Sequence, residues 1–216
     1  MTDLVPVLLG ATGQTLTMVA VSVLLCVILG LAFGSWLAVT SPQGIAPSPA
    51  VHQLLAAFAN ISRSIPFLVL IVLLLPLTRF LVGTSIGTAA AIIPLVVGGT
   101  PYAARLVEAA LLDVDPGLIQ AVVTLGASPS QAVWKVYFPE AVPGLIRAFT
   151  VLAITMINFS AMAGAVGGGG LGDLAIRYGY QRFRLDVLVA CCVILILLVQ
   201  CIQLSGNTLA RRLDHR

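Results

Sequence analysis

Gly167, Gly169 and Gly172 stand at the spacing G-x-G-x-x-G, which in a strand-to-helix turn lets backbone amides close on a pyrophosphate. Here the glycines follow an apolar run rather than a strand, and no Lys-Ser or Lys-Thr comes after them. The chain itself is therefore expected to bind no nucleotide, and the stretch to form a flexible outer loop or re-entrant turn. Acid–base chemistry has as little to work with. The two histidines, His52 and His215, are read in a loop and in the tail, and no nucleophile and base recommend themselves as a pair, so the chain is expected not to be an enzyme. Cys26, Cys191, Cys192 and Cys201 lie in apolar runs without CxxC or Cys/His metal spacing and read as small buried hydrophobes, with neither a disulfide framework nor a metal site. The acidic residues Asp3, Glu108, Asp113, Asp115, Glu140, Asp173, Asp186 and Asp214 fall near segment ends or in loops, so the carboxylate deep in a helix that an ion-coupled carrier uses is not evident.

What remains is polar chemistry in apolar surroundings. Arg63 and Ser64 precede the kink expected at Pro66, and Arg63 either lines a water-filled path or snorkels to an interface. Arg105 and Glu108, three residues apart, can pair on one helix face. Thr155, Met156, Asn158, Ser160 and Met162 share one apolar segment; Met156 and Ser160, with Asn158 around the adjacent face, read either as pathway residues or as ordinary helix packing with Ser/Thr back-bonding. Gly30 and Gly34 form a GxxxG pair suited to close helix approach, within one subunit or between two.

The elements that must hold these residues follow from composition. Of 216 residues, 59% are hydrophobic and 9% charged, far below the roughly 25% charged residues of soluble domains, which places the chain in a bilayer. The net charge of +3 is spread along the chain with no basic run beyond the tail "ARRLDHR", which argues against a nucleic-acid partner. The amino terminus "MTDLVPVLLG" lacks the basic residues of a secretory signal, so the first apolar segment is expected to be retained. Crossing a hydrocarbon core of about 30 Å takes about 20 apolar residues as a helix. Five stretches qualify, at about 15–39, 51–78 (containing Arg63 and Pro66), 86–112 (interrupted by Gly98, Gly99 and Pro101), 143–166 and 187–204. The fold class is therefore an all-α integral membrane protein with five transmembrane helices, forming one domain over residues 1–216. Arg211, Arg212 and Arg216 in the tail, with Arg105, Lys135 and Arg147 around the central loop, put that loop and the carboxyl terminus in the cytoplasm and the amino terminus outside. Arg177, Arg182 and Arg184 then sit on the outer side, against the rule. They alternate with Tyr178, Tyr180 and Phe183, which suits either docking of an external protein or interfacial anchoring.

Between the third and fourth segments the stretch 115–138 breaks into two short helices. Asp115-Pro116 is a helix start, Gly126 a left-handed stop, and Ser128-Pro129-Ser130-Gln131 a second start with the capping-box pattern. The first helix offers Leu118, Val122 and Leu125 at helical spacing, and helices this short are marginal alone, so something must cover that face. The cover is the membrane surface, the protein's own helices, or a groove on a cytoplasmic partner.

The run Gln120-Ala121-Val122, three residues, Gly126, nine residues, then Val136-Tyr137-Phe138-Pro139 resembles the "EAA" motif of importer-type ABC permeases, E-A-A-x3-G-x9-I-x-L-P. Ala121, Gly126 and Pro139 match; Gln replaces Glu, Val the second Ala, Val the Ile and Phe the Leu. The literal Glu108-Ala109-Ala110 has no Gly and Pro at those intervals. "RSIPFLVLIVLLLPLTRFLVGTSIG", "PEAVPGLI" and "SAMAGAVGGGGLGDLAIRYGYQRF" are similar to the membrane subunit of methionine-uptake ABC transporters. The resemblance implies a homodimeric permease of the bacterial inner membrane, moving methionine or another small amino acid or derivative by alternating access. It implies two cytoplasmic ATPase subunits, which bind the ATP and Mg, docked on a coupling helix at Gln120, Ala121, Gly126, Ala127, Ser128 and Pro139. It also implies an external methionine-binding protein, for which Arg177, Tyr178, Tyr180 and Arg182 are the candidate docking residues. The pathway candidates are Arg63, Ser64, Pro66, Met156, Asn158, Ser160 and Met162. The rival reading is an ion-coupled secondary transporter.

Overall fold

The computed structural model describes residues 4–214, so Asp3, His215 and Arg216 lie outside it. All regular structure among the described residues is helical: α1 (Leu4–Thr40), α2 (Pro49–Ser64), α3 (Phe67–Val82), α4 (Thr88–Leu112), α5 (Pro116–Thr124), α6 (Pro129–Ala132), α7 (Phe138–Ala165), α8 (Gly170–Leu174) and α9 (Leu185–Leu213), with π-helical turns at Val133–Tyr137 and Ala175–Tyr180. Four helices are long and apolar enough to span a membrane: α1, α4, the run Pro129–Ala165 and α9. The α2–α3 pair makes a fifth span if its two pieces count as one.

Several hydroxyls inside the long helices donate to their own backbone carbonyls, since hydrocarbon offers no acceptor. Thr12 donates to the Leu8 carbonyl and Thr17 to that of Gly13, both at 2.8 Å, and Ser35 to that of Leu31 at 2.6 Å.

Several expected boundaries change. The first span begins at Leu4, the helix being continuous through Pro6, Gly10 and Gly13. The second is no single kinked helix: α2 and α3 meet at a bend of 101°, because Pro66 lacks an N–H and excludes the helical conformation for Ile65. Gly98, Gly99 and Pro101 lie inside an unbroken α4. Pro143 does not start the fourth span but sits within α7, and the second short helix, α6, runs on through a π turn into it. His52 stands in α2 rather than in a loop. Cys26 and Cys191 are buried as expected, whereas Cys192 and Cys201 are exposed.

The chain forms two compact units, to both of which α1, α4, α7 and α9 contribute. One comprises residues up to Leu25, Ile65–Gly99 and Ala153–Gln203. Its core gathers Ala11 of α1, Leu171 and Leu174 of α8, and Val187 and Cys191 of α9. The glycine-rich stretch is an ordered turn between α7 and α8 here. Gly167, Gly169 and Gly170 adopt φ of +89°, +78° and +78°, and the freed amides of Gly170 and Leu171 donate to Gln14 Oε1 at 2.8 Å and Thr15 Oγ1 at 2.9 Å.

The other unit comprises Cys26–Ser64, Thr100–Leu152 and the chain from Leu204. Ala38, Val107, Leu111, Ile119, Tyr137 and Leu145 pack into its core. The GxxxG pair is used within the chain: a Cβ on Gly30 would lie 2.6 Å from the Ala103 Cβ, and one on Gly34 2.5 Å from the Ala104 carbonyl oxygen. Two small faces thus bring α1 against α4.

Candidate functional site

The elbow at 115–138 is built from local capping. Asp115 Oδ1 accepts from the Gly117 amide at 2.8 Å, with Pro116 at the first helical position of α5. At the far end Gly126 takes φ +83°. Its amide donates to the Val123 carbonyl at 2.9 Å, and that of Ala127 to the Val122 carbonyl at 3.2 Å. This pair of bonds is a Schellman stop. Ser128 then opens α6 with a reciprocal capping box: Ser128 Oγ accepts from the Gln131 amide at 3.3 Å, and Gln131 Oε1 accepts from the Ser128 amide at 3.0 Å. No free loop separates the two helices.

The elbow is anchored on one side only. Ile119 is buried in the core beside Val114 and Tyr137, while Leu125 is 87% and Leu118 38% exposed. The apolar face expected to need a cover is thus left largely open by the rest of the chain. Gln120 is exposed and lines a cavity of about 630 Å³ with Gln43, Gly44 and Tyr137. Ala121, Gly126, Ser128 and Pro139 are exposed and Ala127 half-buried. Nothing of this chain lies within 4 Å of where a Gly126 Cβ would stand.

Beneath the elbow, Glu108 is buried, its Oε2 2.5 Å from Arg105 and its Oε1 3.8 Å from His52 Nε2. His52 Nδ1 faces the Leu37 carbonyl at 3.2 Å. The i,i+3 pairing is legible in sequence; the histidine, 56 residues away, is not. Glu108, which opens the string Glu108-Ala109-Ala110, thus makes its polar contacts within the unit.

The pathway candidates divide. The Arg63 guanidinium sits 5.2 Å from the Tyr102 ring centroid, a cation–π contact. Ser64 donates to the Asn60 carbonyl at 2.9 Å, and Pro66 stands at the start of α3. Asn158 and Met162, one turn apart on α7, are exposed. Met156 and Ser160 are not: both are buried in the chain's own core, and Ser160 donates to the Ile157 carbonyl at 2.7 Å. The helical phase puts 156 and 160 on the face opposite 158 and 162, and burial with a back-bond at Ser160 suits the packing reading for them.

On the remaining surface Arg177 pairs with Asp173, Arg182 lies over the Tyr178 ring at 4.5 Å, and Tyr180 is 71% exposed. Arg184 Nη2 meets Asp186 at 2.6 Å, and that hydrogen bond holds the guanidinium pKa above its ordinary value. Phe183 turns the chain with φ +56° and is 87% exposed. Gln14 and Thr15, which pin the glycine-rich turn, had no local signal in the sequence, since their partners lie 156 residues away.

A family model described as binding-protein-dependent transport system inner membrane component matches residues 30–216. The chain is 48% identical over 209 residues to the probable D-methionine transport system permease protein MetI of Vibrio cholerae, covering 97% of this chain and 93% of that one. It is 46% identical over 177 residues to the methionine import system permease protein MetP of Bacillus subtilis, covering 82% and 80%. A solved inward-facing conformation of the MetNI methionine ABC transporter superposes with a TM-score of 0.97 at 43% identity over 100% of both chains. An amino acid ABC transporter crystallised with histidines shares the fold, at TM-score 0.79 and 21% identity over 98% and 96% of the two chains.

Proposed function

The chain belongs to the binding-protein-dependent transport system inner membrane component family, and from that premise we infer that it is the permease subunit of an ATP-driven importer of methionine. It is a multi-pass inner-membrane protein that catalyses no reaction itself and works within an ABC transporter, with ATPase subunits and a permease dimer. The observation that carries the coupling role is the elbow: capped at each helix end, anchored through Ile119, and presenting Leu118 and Leu125 outward.

In this reading each of two ATPase subunits receives one elbow in a cleft, around Gln120, Ala121, Gly126, Ala127, Ser128 and Pro139. Closure of the ATPase pair on ATP then moves the elbow, and with it α7, since α6 continues into that helix without a break. Moving an inward–outward balance from 1:99 to 99:1 takes about 5.5 kcal/mol of differential interaction, which a loose loop would dissipate. Arg63, Ser64, Pro66, Asn158 and Met162 are the side chains we assign to the pathway. The elbow and carboxyl terminus face the cytoplasm and the amino terminus the outside, where Arg177, Tyr178, Tyr180 and Arg182 meet a methionine-delivering binding protein. Those arginines remain the exception to the basic-residue bias, and each has a local use on that side.

The test is ATP-dependent uptake of labelled methionine into vesicles holding the permease, its ATPase and its binding protein. Uptake that vanishes with a hydrolysis-dead ATPase is expected; ATP hydrolysis without methionine uptake points to another amino acid, and uptake indifferent to ATP overturns the assignment.

A further inference from the structure

We propose that the corner between α1 and α2, residues 41–48, is a second seat for the ATPase subunit, which inserts a neutral segment between corner and elbow where the amides of Gln43 and Gln120 hold it. Such a seat rests on the coupling reading of the elbow, yet the corner lies outside the EAA-like run.

The corner is built rather than slack. A helix leaves its last four carbonyls without partners inside it. At the end of α1 each finds one. Leu37 accepts from Thr40 Oγ1 at 3.4 Å and faces His52 Nδ1 at 3.2 Å. Ala38 accepts from the Ser41 amide at 3.4 Å, Val39 from that of Ala46 at 3.1 Å and Thr40 from that of Ser48 at 3.0 Å. The Gly44 amide closes on the Ser41 carbonyl at 2.9 Å, and a Cβ on Gly44 would run into the Ala38 and Val39 carbonyl oxygens. Pro42, Gln43, Ala46 and Pro47 stay exposed on this frame. A partner that binds there has little backbone left to order.

Corner and elbow face one another across the cavity of about 630 Å³, with Gln43 and Ile45 on one side and Gln120, Val123 and Thr124 on the other. Helical phase puts Leu118 and Ala121 on the side of α5 opposite Gln120 and Val123, and Val123 is 45% exposed. The short helix thus stands open on both flanks, and a cleft that takes it meets the corner as well. The stretch 116–132 alone is shorter than the roughly 20–30 residues a side of a stable interface. The adjoining corner supplies area that the elbow lacks.

The lining chemistry selects a peptide. Among the described residues no charged one lines the cavity, so a phosphate or a charged side chain would be buried there unpaired. Where the EAA motif has Glu, this chain has Gln120. The Thr124 hydroxyl is spent on the Gln120 and Ala121 carbonyls at 2.7 and 2.9 Å. The side-chain amides of Gln43 and Gln120 make no hydrogen bond among the described residues. Each offers donors and an acceptor, the complement of a peptide group.

The experiment uses the permease–ATPase complex with a photoreactive benzophenone side chain in place of Gln43 or, separately, of Ser130 on the elbow. Irradiation is expected to join the ATPase from both positions, as read by mass spectrometry of the adducts. ATPase adducts from position 130 alone overturn the second seat and leave the coupling reading standing. None from position 130 overturns that reading and the seat with it. Adducts from position 43 only to this chain or to a second copy overturn the seat as well. Binding then tests the amides. Gln43→Ala should weaken ATPase binding about fivefold, the size of one neutral hydrogen bond. It should leave the thermal midpoint of the ATPase-stripped permease unchanged, because the side chain has no partner in its own chain. A lowered midpoint would mean that Gln43 serves the permease's own fold and would overturn its role in the seat. Gln43→Ala combined with Gln120→Ala should lose less than the product of the single losses, since one guest is shared. Losses that multiply overturn the shared cavity.

Discussion

Gly126 meets two demands that substitution can separate. Its φ of +83° disfavours any residue with a Cβ, by about 1–2 kcal/mol, but least for Asn. No atom of this chain crowds the position, so bulk there is felt only by whatever docks on the elbow. Gly126→Asn should therefore keep ATPase capture and uptake within about threefold, the cost of a tolerated left-handed residue. Gly126→Trp should insert normally yet lower uptake at least about tenfold, equivalent to about 1.4 kcal/mol of lost coupling. Uptake assays paired with pull-down of the ATPase check both; normal uptake by the tryptophan variant would remove the coupling assignment. The caps around this glycine were legible because Asp-Pro, Gly and Ser-Pro-x-Gln each dictate a local conformation. Ile119 as the anchor was not. An apolar residue on an amphipathic helix does not announce whether its own chain or a partner will bury it, and here Ile119 and Leu118 of the same helix go different ways.

At the scale of elements, small residues decide what packs on what. The sequence offered Gly30 and Gly34 equally to a neighbouring helix or to a second copy, because a small-residue face fits either. In the fold both approach α4, with Ala104 and Val107 closing on Gly34. Gly34→Leu would drive a side chain into backbone that cannot yield cheaply, an overpacking cost of about 1–3 kcal/mol. We expect a lower thermal midpoint for the purified complex and reduced accumulation in membranes. Val107→Ala in the same chain should restore little of the loss, because it removes the Cγ1 that a Gly34 Cβ would meet at 2.8 Å but leaves the Val107 Cβ at 2.6 Å and the Ala104 carbonyl oxygen at 2.5 Å. A Gly34→Leu protein as stable as the parent would mean that α1 and α4 do not pack as described. The break at Pro66 and the π turn at Val133–Tyr137 show the limit of reading elements from composition. Proline announces a kink but not its angle, and no residue type encodes the i→i+5 turn that here carries the buried Val133 and Tyr137.

For the whole molecule, counting spans was secure because a chain with 9% charged residues leaves few segments that could lie outside a bilayer. Sidedness was less so, since basic residues occur on both ends of the helices and Arg177 and Arg184 are held locally by Asp173 and Asp186. The elbow and the aromatic-rich turn provide the decisive pair of positions. Ser130 and Gln181 are both exposed, and neither belongs to a core cluster, so a cysteine at either should not disturb folding. In a background where Cys26, Cys191, Cys192 and Cys201 are replaced by serine or alanine, a membrane-impermeant maleimide should label Gln181→Cys in intact spheroplasts. Ser130→Cys should react only in inside-out vesicles, and docking of the ATPase should slow that reaction, because its cleft would cover the elbow. The reverse pattern would invert the topology and place the elbow where no ATPase can reach it, so a chain labelled that way could not be driven from the cytoplasm by the contact inferred here.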